Sequence, residues 1–113
     1  MRRGTLSKRA SERRAVGSHV VGLYTVAKDQ MAFTRGRPTD YRSSSAVLRE
    51  FCRYCGTGLT YWHADWPNEI SLTMASLDEP GLVPPVDHTW MARAVSWGKP
   101  TDGLPQFATD RST

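Results

Sequence analysis

The chain has 113 residues, with 15 Lys/Arg against 11 Asp/Glu for a formal net charge of +4, and 39% of its side chains are apolar, including four Trp, four Tyr and three Phe. That length holds one compact domain and excludes a second, while the aromatic content excludes a disordered chain. A core of this size is small, so a staple such as a metal ion or a second subunit is expected to help hold it.

The charge is unevenly split: residues 1–53 carry twelve Lys/Arg against four Asp/Glu (+8), and residues 54–113 carry three against seven (−4). The basic half suits phosphates or anionic substrates. Its cations are not interleaved with aromatics in any reader motif, which argues against nucleic acid as the partner. Within residues 1–14, Arg2, Arg3, Lys8, Arg9, Arg13 and Arg14 face only Glu12, and residues 1–12 read as a basic, loosely packed segment. No apolar stretch near the N-terminus reaches the length of a secretory core, Val20-Val21-Gly22-Leu23 coming nearest, and no run is long enough to span a membrane. The expectation is a soluble, cytoplasmic protein without a membrane partner.

In chain order, residues 7–14 make the best helical window, weakened because Arg9 and Arg13 repel at i,i+4 and the Lys8/Glu12 pair has the poorer orientation. Residues 19–26 (HVVGLYTV), rich in β-branched and aromatic side chains, form the first convincing strand. A turn over 27–30 leads to a short strand at 31–34, broken by Arg35-Gly36-Arg37-Pro38. Residues 39–43 and 46–51 read as two arms of a hairpin around the serines, and 59–63 (LTYWH) as the next strand. Ile70, Leu72 and Met74 alternate with Ser71, Thr73 and Ala75, the period of a strand with one face on the core. Pro80-Gly81 turns the chain, Pro84-Pro85 stiffens it, and 88–91 reads as a last strand. The segment from Gly98 has little to bury beyond Leu104 and Phe107, with 108–113 a flexible tail. The fold class is mostly β, largely antiparallel.

One motif carries defined chemistry: Phe51-Cys52-Arg53-Tyr54-Cys55-Gly56-Thr57. Two thiolates two residues apart can converge on one Zn²⁺ at about 2.3 Å when a tight turn points both sulfurs the same way. Gly56 supplies the positive φ such a turn needs after its second ligand. Structural zinc takes four ligands, however, and there is no second such pair. His19, His63 and His88 lack ligand-type spacing to one another. Metal ligation at Cys52 and Cys55, inert buried thiols and redox chemistry stay open, although a thioredoxin-like role would need a βαβ context. There is no Walker loop, GxGxxG or HExxH. Ser43-Ser44-Ser45 reads as a turn, and Tyr61, Trp62 and Trp66 read as core rather than as a ligand platform.

Phe33-Thr34-Arg35-Gly36, Tyr41-Arg42-Ser43-Ser44, Arg49-Glu50-Phe51-Cys52-Arg53-Tyr54-Cys55-Gly56-Thr57-Gly58-Leu59, the strand at 69–75, Leu77-Asp78-Glu79-Pro80 and Pro85-Val86-Asp87-His88-Thr89-Trp90 together resemble the GFA/CENP-V family, named for the glutathione-dependent formaldehyde-activating enzyme. The resemblance spans residues 13–107. It implies an Mss4-like antiparallel β fold with a zinc-knuckle turn, and a zinc-dependent carbon–sulfur lyase acting on glutathione–aldehyde adducts of the S-hydroxymethylglutathione type. The partner would then be a small thiol conjugate, with a homo-oligomer left open.

The family's structural zinc is held by an early CxC and a later CxxC, the latter matching Cys52 and Cys55. Its second zinc is held by a CxCxxC segment just before an Arg-Arg-x-x-Gly stretch, which Arg13-Arg14-Ala15-Val16-Gly17 matches. Counting back, those three cysteine positions fall on Ser7, Arg9 and Glu12. Serine is a poor zinc ligand and arginine is cationic, so these residues do not build that site. The early CxC has no counterpart either. The chain therefore reads as a degenerate member, or as one whose start lies downstream of the family's usual one, with zinc at an incomplete site and a non-catalytic binding or interaction module as the alternative function.

Overall fold

The computed structural model describes residues 4–111. Seven strands, β1 (Gly4–Ser7), β2 (Val21–Ala27), β3 (Thr39–Arg42), β4 (Val47–Phe51), β5 (Gly58–His63), β6 (Glu69–Thr73) and β7 (Pro85–Thr89), form one sheet in the order β3-β4-β5-β6-β2-β1-β7. Among the described residues a single α-helix, α1 (Ala10–Val16), follows β1, and short 3₁₀ turns punctuate the loops. Every neighbouring pair is antiparallel except β1 and β7. The class expected from the sequence, mostly β and mainly antiparallel, is the one observed.

Local signals account for β2 to β6. The arms around the serines pair from Thr39↔Phe51 to Arg42↔Leu48, and the cysteine turn joins β4 to β5. The alternating segment pairs Ile70 with Val26 and Leu72 with Tyr24. Ile70 and Met74 are buried there, although Met74 already lies in the 3₁₀ turn Met74–Ser76 that ends the strand. Residues 31–34 form no strand, and the last strand ends at Thr89, before Trp90 enters the left-handed region at φ 58°. Helix α1 forms despite its repelling arginines. Gly17, at φ 69°, ends it in the left-handed cap that glycine adopts without strain, its N–H reaching Arg13 O at 2.8 Å.

Two expectations about the ends are corrected. Of the segment expected to be loosely packed, Gly4–Ser7 is an inner strand with β2 on one side and β7 on the other, so both of its edges are hydrogen-bonded. Ser7, Lys8 and Glu12 are buried. Met1, Arg2 and Arg3 lie outside the described residues. At the other end, the segment expected to be flexible is strapped to β7 and the turn beyond it: Trp90 N–H donates to Thr109 O at 3.0 Å, Ala92 N–H to Ala108 O at 3.1 Å, and Arg111 pairs with Asp87. Backbone bonds and one buried carboxylate hold what apolar burial alone would not. Ser112 and Thr113 lie outside the described residues.

The core shows why. Val21, Leu23, Val47, Ile70 and Met74 are its buried apolar side chains, whereas Ser7, Lys8, Glu12, Thr60, Asp87, His88 and Thr89 are buried and polar. Around β1 and β7 the molecule is held chiefly by paired charges and hydrogen bonds, which supply the cohesion a small apolar core lacks.

Candidate functional site

The turn between β4 and β5 is closed by two backbone hydrogen bonds of 2.8 Å, Cys52 N–H to Thr57 O and Gly56 N–H to Cys52 O. Gly56 sits at φ 79°, where an L side chain would be strained. Both cysteines are free thiols, Cys52 half-buried and Cys55 exposed. The Thr57 hydroxyl lies 3.1 Å from Cys55 Sγ. Hydrogen bonds from Thr57, side chain then backbone, and from the Cys52 side chain hold the Cys55 thiol below its ordinary value. The expected placement of the pair, adjacent on one tight turn, is what the fold provides.

No histidine joins them. His63 stands opposite Val47, at the far end of the β4–β5 hairpin, where its Nδ1 accepts from Asp65 N–H at 3.0 Å. His19 lies against Trp97, with ring centroids 5.2 Å apart and Nδ1 buried without a partner. Among the described residues no three His, Cys, Asp or Glu side chains cluster as metal ligands would.

A second constellation, which sequence reasoning missed, fills the face covered by α1. Arg49 on β4 stands opposite Tyr61 on β5, and Tyr61 opposite Ser71 on β6. The Arg49 guanidinium lies over the Tyr61 ring at 5.0 Å and donates two bonds of 3.1 Å to the Glu12 carboxylate. Glu12 is 3% exposed and Arg49 14%, so this fork-to-fork pair is largely screened from water. Arg9 places its guanidinium 4.7 Å from the Trp90 ring, and its backbone N–H donates to Ser7 Oγ at 3.3 Å. Burial raises the Tyr61 hydroxyl above its ordinary value, with the Arg9 charge opposing. Tyr61 thus supports an ion pair, while Trp66, expected in the core, is 64% exposed.

Beside it runs a three-residue relay. Lys8, 2% exposed, contacts His88 Nδ1 through Nζ and also donates to Leu6 O at 3.1 Å. His88 Nε2 lies 2.8 Å from Asp102 Oδ2. With Lys8 charged, Nδ1 accepts and the Nε2 proton is given to Asp102, so the imidazole bridges an ammonium to a carboxylate. Burial pushes the Lys8 amine down, with the Asp102 charge opposing; the Leu104 backbone N–H, with a further bond from His88, holds the Asp102 carboxyl below its ordinary value. These partners lie 80 and 14 residues apart, and no local pattern announces them.

Tested against zinc, the two groups of residues differ. Cys52 and Cys55 fit half of a tetrahedral set: soft donors, adjacent, on a turn closed by its own backbone bonds. Ser7, Arg9 and Glu12 do not fit a metal, because the serine hydroxyl accepts a backbone bond, the arginine is a cation against an indole, and the glutamate is already neutralised by Arg49. Two open clefts, about 500 Å³ beside Arg37, Pro38, Asp40 and Glu50 and about 390 Å³ between Met91 and Gln106, are lined by neither cysteine.

A small, mostly β domain with a CxxC turn and a helix packed over one sheet face is thus defined. The profile of the GFA family, glutathione-dependent formaldehyde-activating enzyme, matches residues 10–93, and the chain belongs to that family. No curated protein matches the chain. Among the described residues no helix is long and apolar enough to cross a membrane.

Proposed function

We propose that this chain is a GFA-type domain of the zinc-dependent carbon–sulfur lyase class acting on glutathione–aldehyde adducts, with Cys52 and Cys55 as zinc ligands on a zinc-knuckle turn of an Mss4-like fold. The observation that carries this reading is the family match over residues 10–93, which includes both cysteines on their closed turn. A bound zinc would supply Lewis acidity toward a thiol or hydroxymethyl oxygen. The chain's own contribution is to hold the two sulfurs together, while the cations of its first half favour an anionic conjugate. Such a substrate suits a cytoplasmic protein meeting a small thiol adduct.

A second reading, a non-catalytic binding or interaction module, is favoured by one specific observation. The positions that the resemblance gives to the second zinc are occupied by Ser7, Arg9 and Glu12, each engaged in contacts of its own. The test is zinc content by elemental analysis together with turnover of a formaldehyde–glutathione adduct followed by NMR. Zinc with turnover supports the lyase. Zinc without turnover makes the chain a binding module, and absence of both removes zinc from the reading.

A further inference from the structure

We infer that Cys52 and Cys55 form a thiol–disulfide couple that exchanges with a small disulfide of the glutathione type, Cys55 opening the incoming disulfide and Cys52 then closing the bridge. This goes beyond the zinc reading and does not depend on it, since it needs two thiols and no metal.

The backbone has already brought the two thiols together. Residues 53–55 turn the chain between β4 and β5, and the two bonds of 2.8 Å that close the turn are both made by Cys52. A turn of four residues keeps its outer Cα atoms within about 7 Å, and a disulfide spans Cα atoms about 4.4–6.8 Å apart. The Cys52 side chain lies within hydrogen-bond reach of the Cys55 thiol. A bridge therefore closes across a loop that is formed beforehand, with β4 and β5 paired on either side of it.

Access divides the roles. Cys55 is exposed and Cys52 half-buried, and exchange goes to the sulfur that an incoming disulfide can reach in line. The approach to Cys55 is open, because a Cβ built at Gly56 or Gly58 meets nothing within 4 Å. The Thr57 hydroxyl, 3.1 Å from Cys55 Sγ, steadies that sulfur. Between the two cysteines, exposed Arg53 lies over Tyr54 at 5.1 Å and sets a cation beside the reacting sulfurs. Glutathione disulfide, which carries more carboxylates than ammonium groups, is an anion suited to that charge.

The exchange balances without a metal. Cys55, as thiolate, attacks one sulfur of glutathione disulfide; that S–S bond breaks, one glutathione leaves as thiolate, and a mixed disulfide forms on Cys55. Cys52, as thiolate, then attacks the Cys55 sulfur and releases the second glutathione. The chain is oxidised by two electrons, glutathione disulfide is reduced to two thiols, and the two protons given up by the cysteines go to them. Excess reduced glutathione runs the same steps backwards.

The experiment incubates the reduced full-length chain with glutathione disulfide in the presence of a chelator, quenches with acid and reads intact and peptide masses. The expected product is a monomer lighter by two hydrogens, with Cys52 joined to Cys55, both thiols blocked to alkylation, and full recovery in excess reduced glutathione. Cys52→Ser should accumulate one glutathionyl group on Cys55, and Cys55→Ser should acquire one at Cys52 several-fold more slowly, circular dichroism showing that each variant folds. A native chain that stays reduced in excess glutathione disulfide, keeps the mixed disulfide unresolved, or forms a disulfide between two chains overturns the inference. Equal rates in the two variants overturn the assignment of Cys55 as the attacking thiol. Zinc uptake by the reduced chain is measured separately: a bridge without zinc uptake removes the zinc reading alone, and zinc uptake without a bridge removes the couple alone.

Discussion

Glu12 and Arg49 meet through two hydrogen bonds of 3.1 Å, so that α1, which follows β1, is fastened to β4, four positions away across the sheet. With β2, β6 and β5 lying between, the pair ties the two sides of the sheet over one face, with Tyr61 beneath the guanidinium.

Removing one partner leaves the other charge buried and uncompensated. Glu12→Ala is expected to destabilise the fold by about 3–5 kcal/mol, read from urea unfolding. The Glu12→Ala/Arg49→Ala double variant should lose less than the sum of the single changes, because the orphaned guanidinium is removed as well. Additive losses would show that the two side chains do not interact.

Lys8 gives a pH dependence whose sign follows from its burial. Its folded-state value lies below the ordinary 10.5, so between the two values the unfolded chain binds more protons and stability rises with pH. The cost of keeping a buried ammonium is therefore greatest below the folded value and is relieved as pH rises toward 10.5. Lys8→Met removes this cost together with the bonds to His88 and Leu6, and the stability difference in its favour should shrink as pH rises toward 10.5. Taking the difference between the two proteins cancels Tyr61, whose raised value works the opposite way above 10.0.

In the metal-free protein, Cys55 should be alkylated by iodoacetamide before Cys52. It is the more exposed of the two, and Thr57 stabilises its thiolate. Thr57→Val removes the hydroxyl and should slow modification at Cys55, measured by peptide mass spectrometry at fixed pH. Equal rates at both cysteines would contradict the exposed, hydrogen-bonded position of Cys55.

Gly56→Ala tests the turn itself. The added Cβ meets no neighbour, so its cost of about 1–2 kcal/mol is purely that of φ 79° for an L residue. Thermal unfolding should register that loss, and, on the proposed reading of Cys52 and Cys55 as zinc ligands, zinc uptake should weaken with it as the turn that carries both cysteines is disturbed.

What the sequence by itself determined is local. β-branched and aromatic runs mark β2 and β5, the alternation Ile70, Leu72, Met74 marks β6, and Cys52-x-x-Cys55-Gly56 specifies a turn with both thiols on it, because each signal lies within one element and its own backbone geometry. The GFA resemblance was legible for the same reason, as an ordered series of such short pieces. Tertiary structure alone decided that Gly4–Ser7 is an inner strand, since four residues without a β-branched run carry no strand period and gain their bonds from β2 and from β7, some 80 residues away. It alone joined Glu12 to Arg49, and Lys8 to His88 and Asp102. A charge shows in the sequence only as a preference for water, and whether it is buried depends on a partner that the folded chain brings to it.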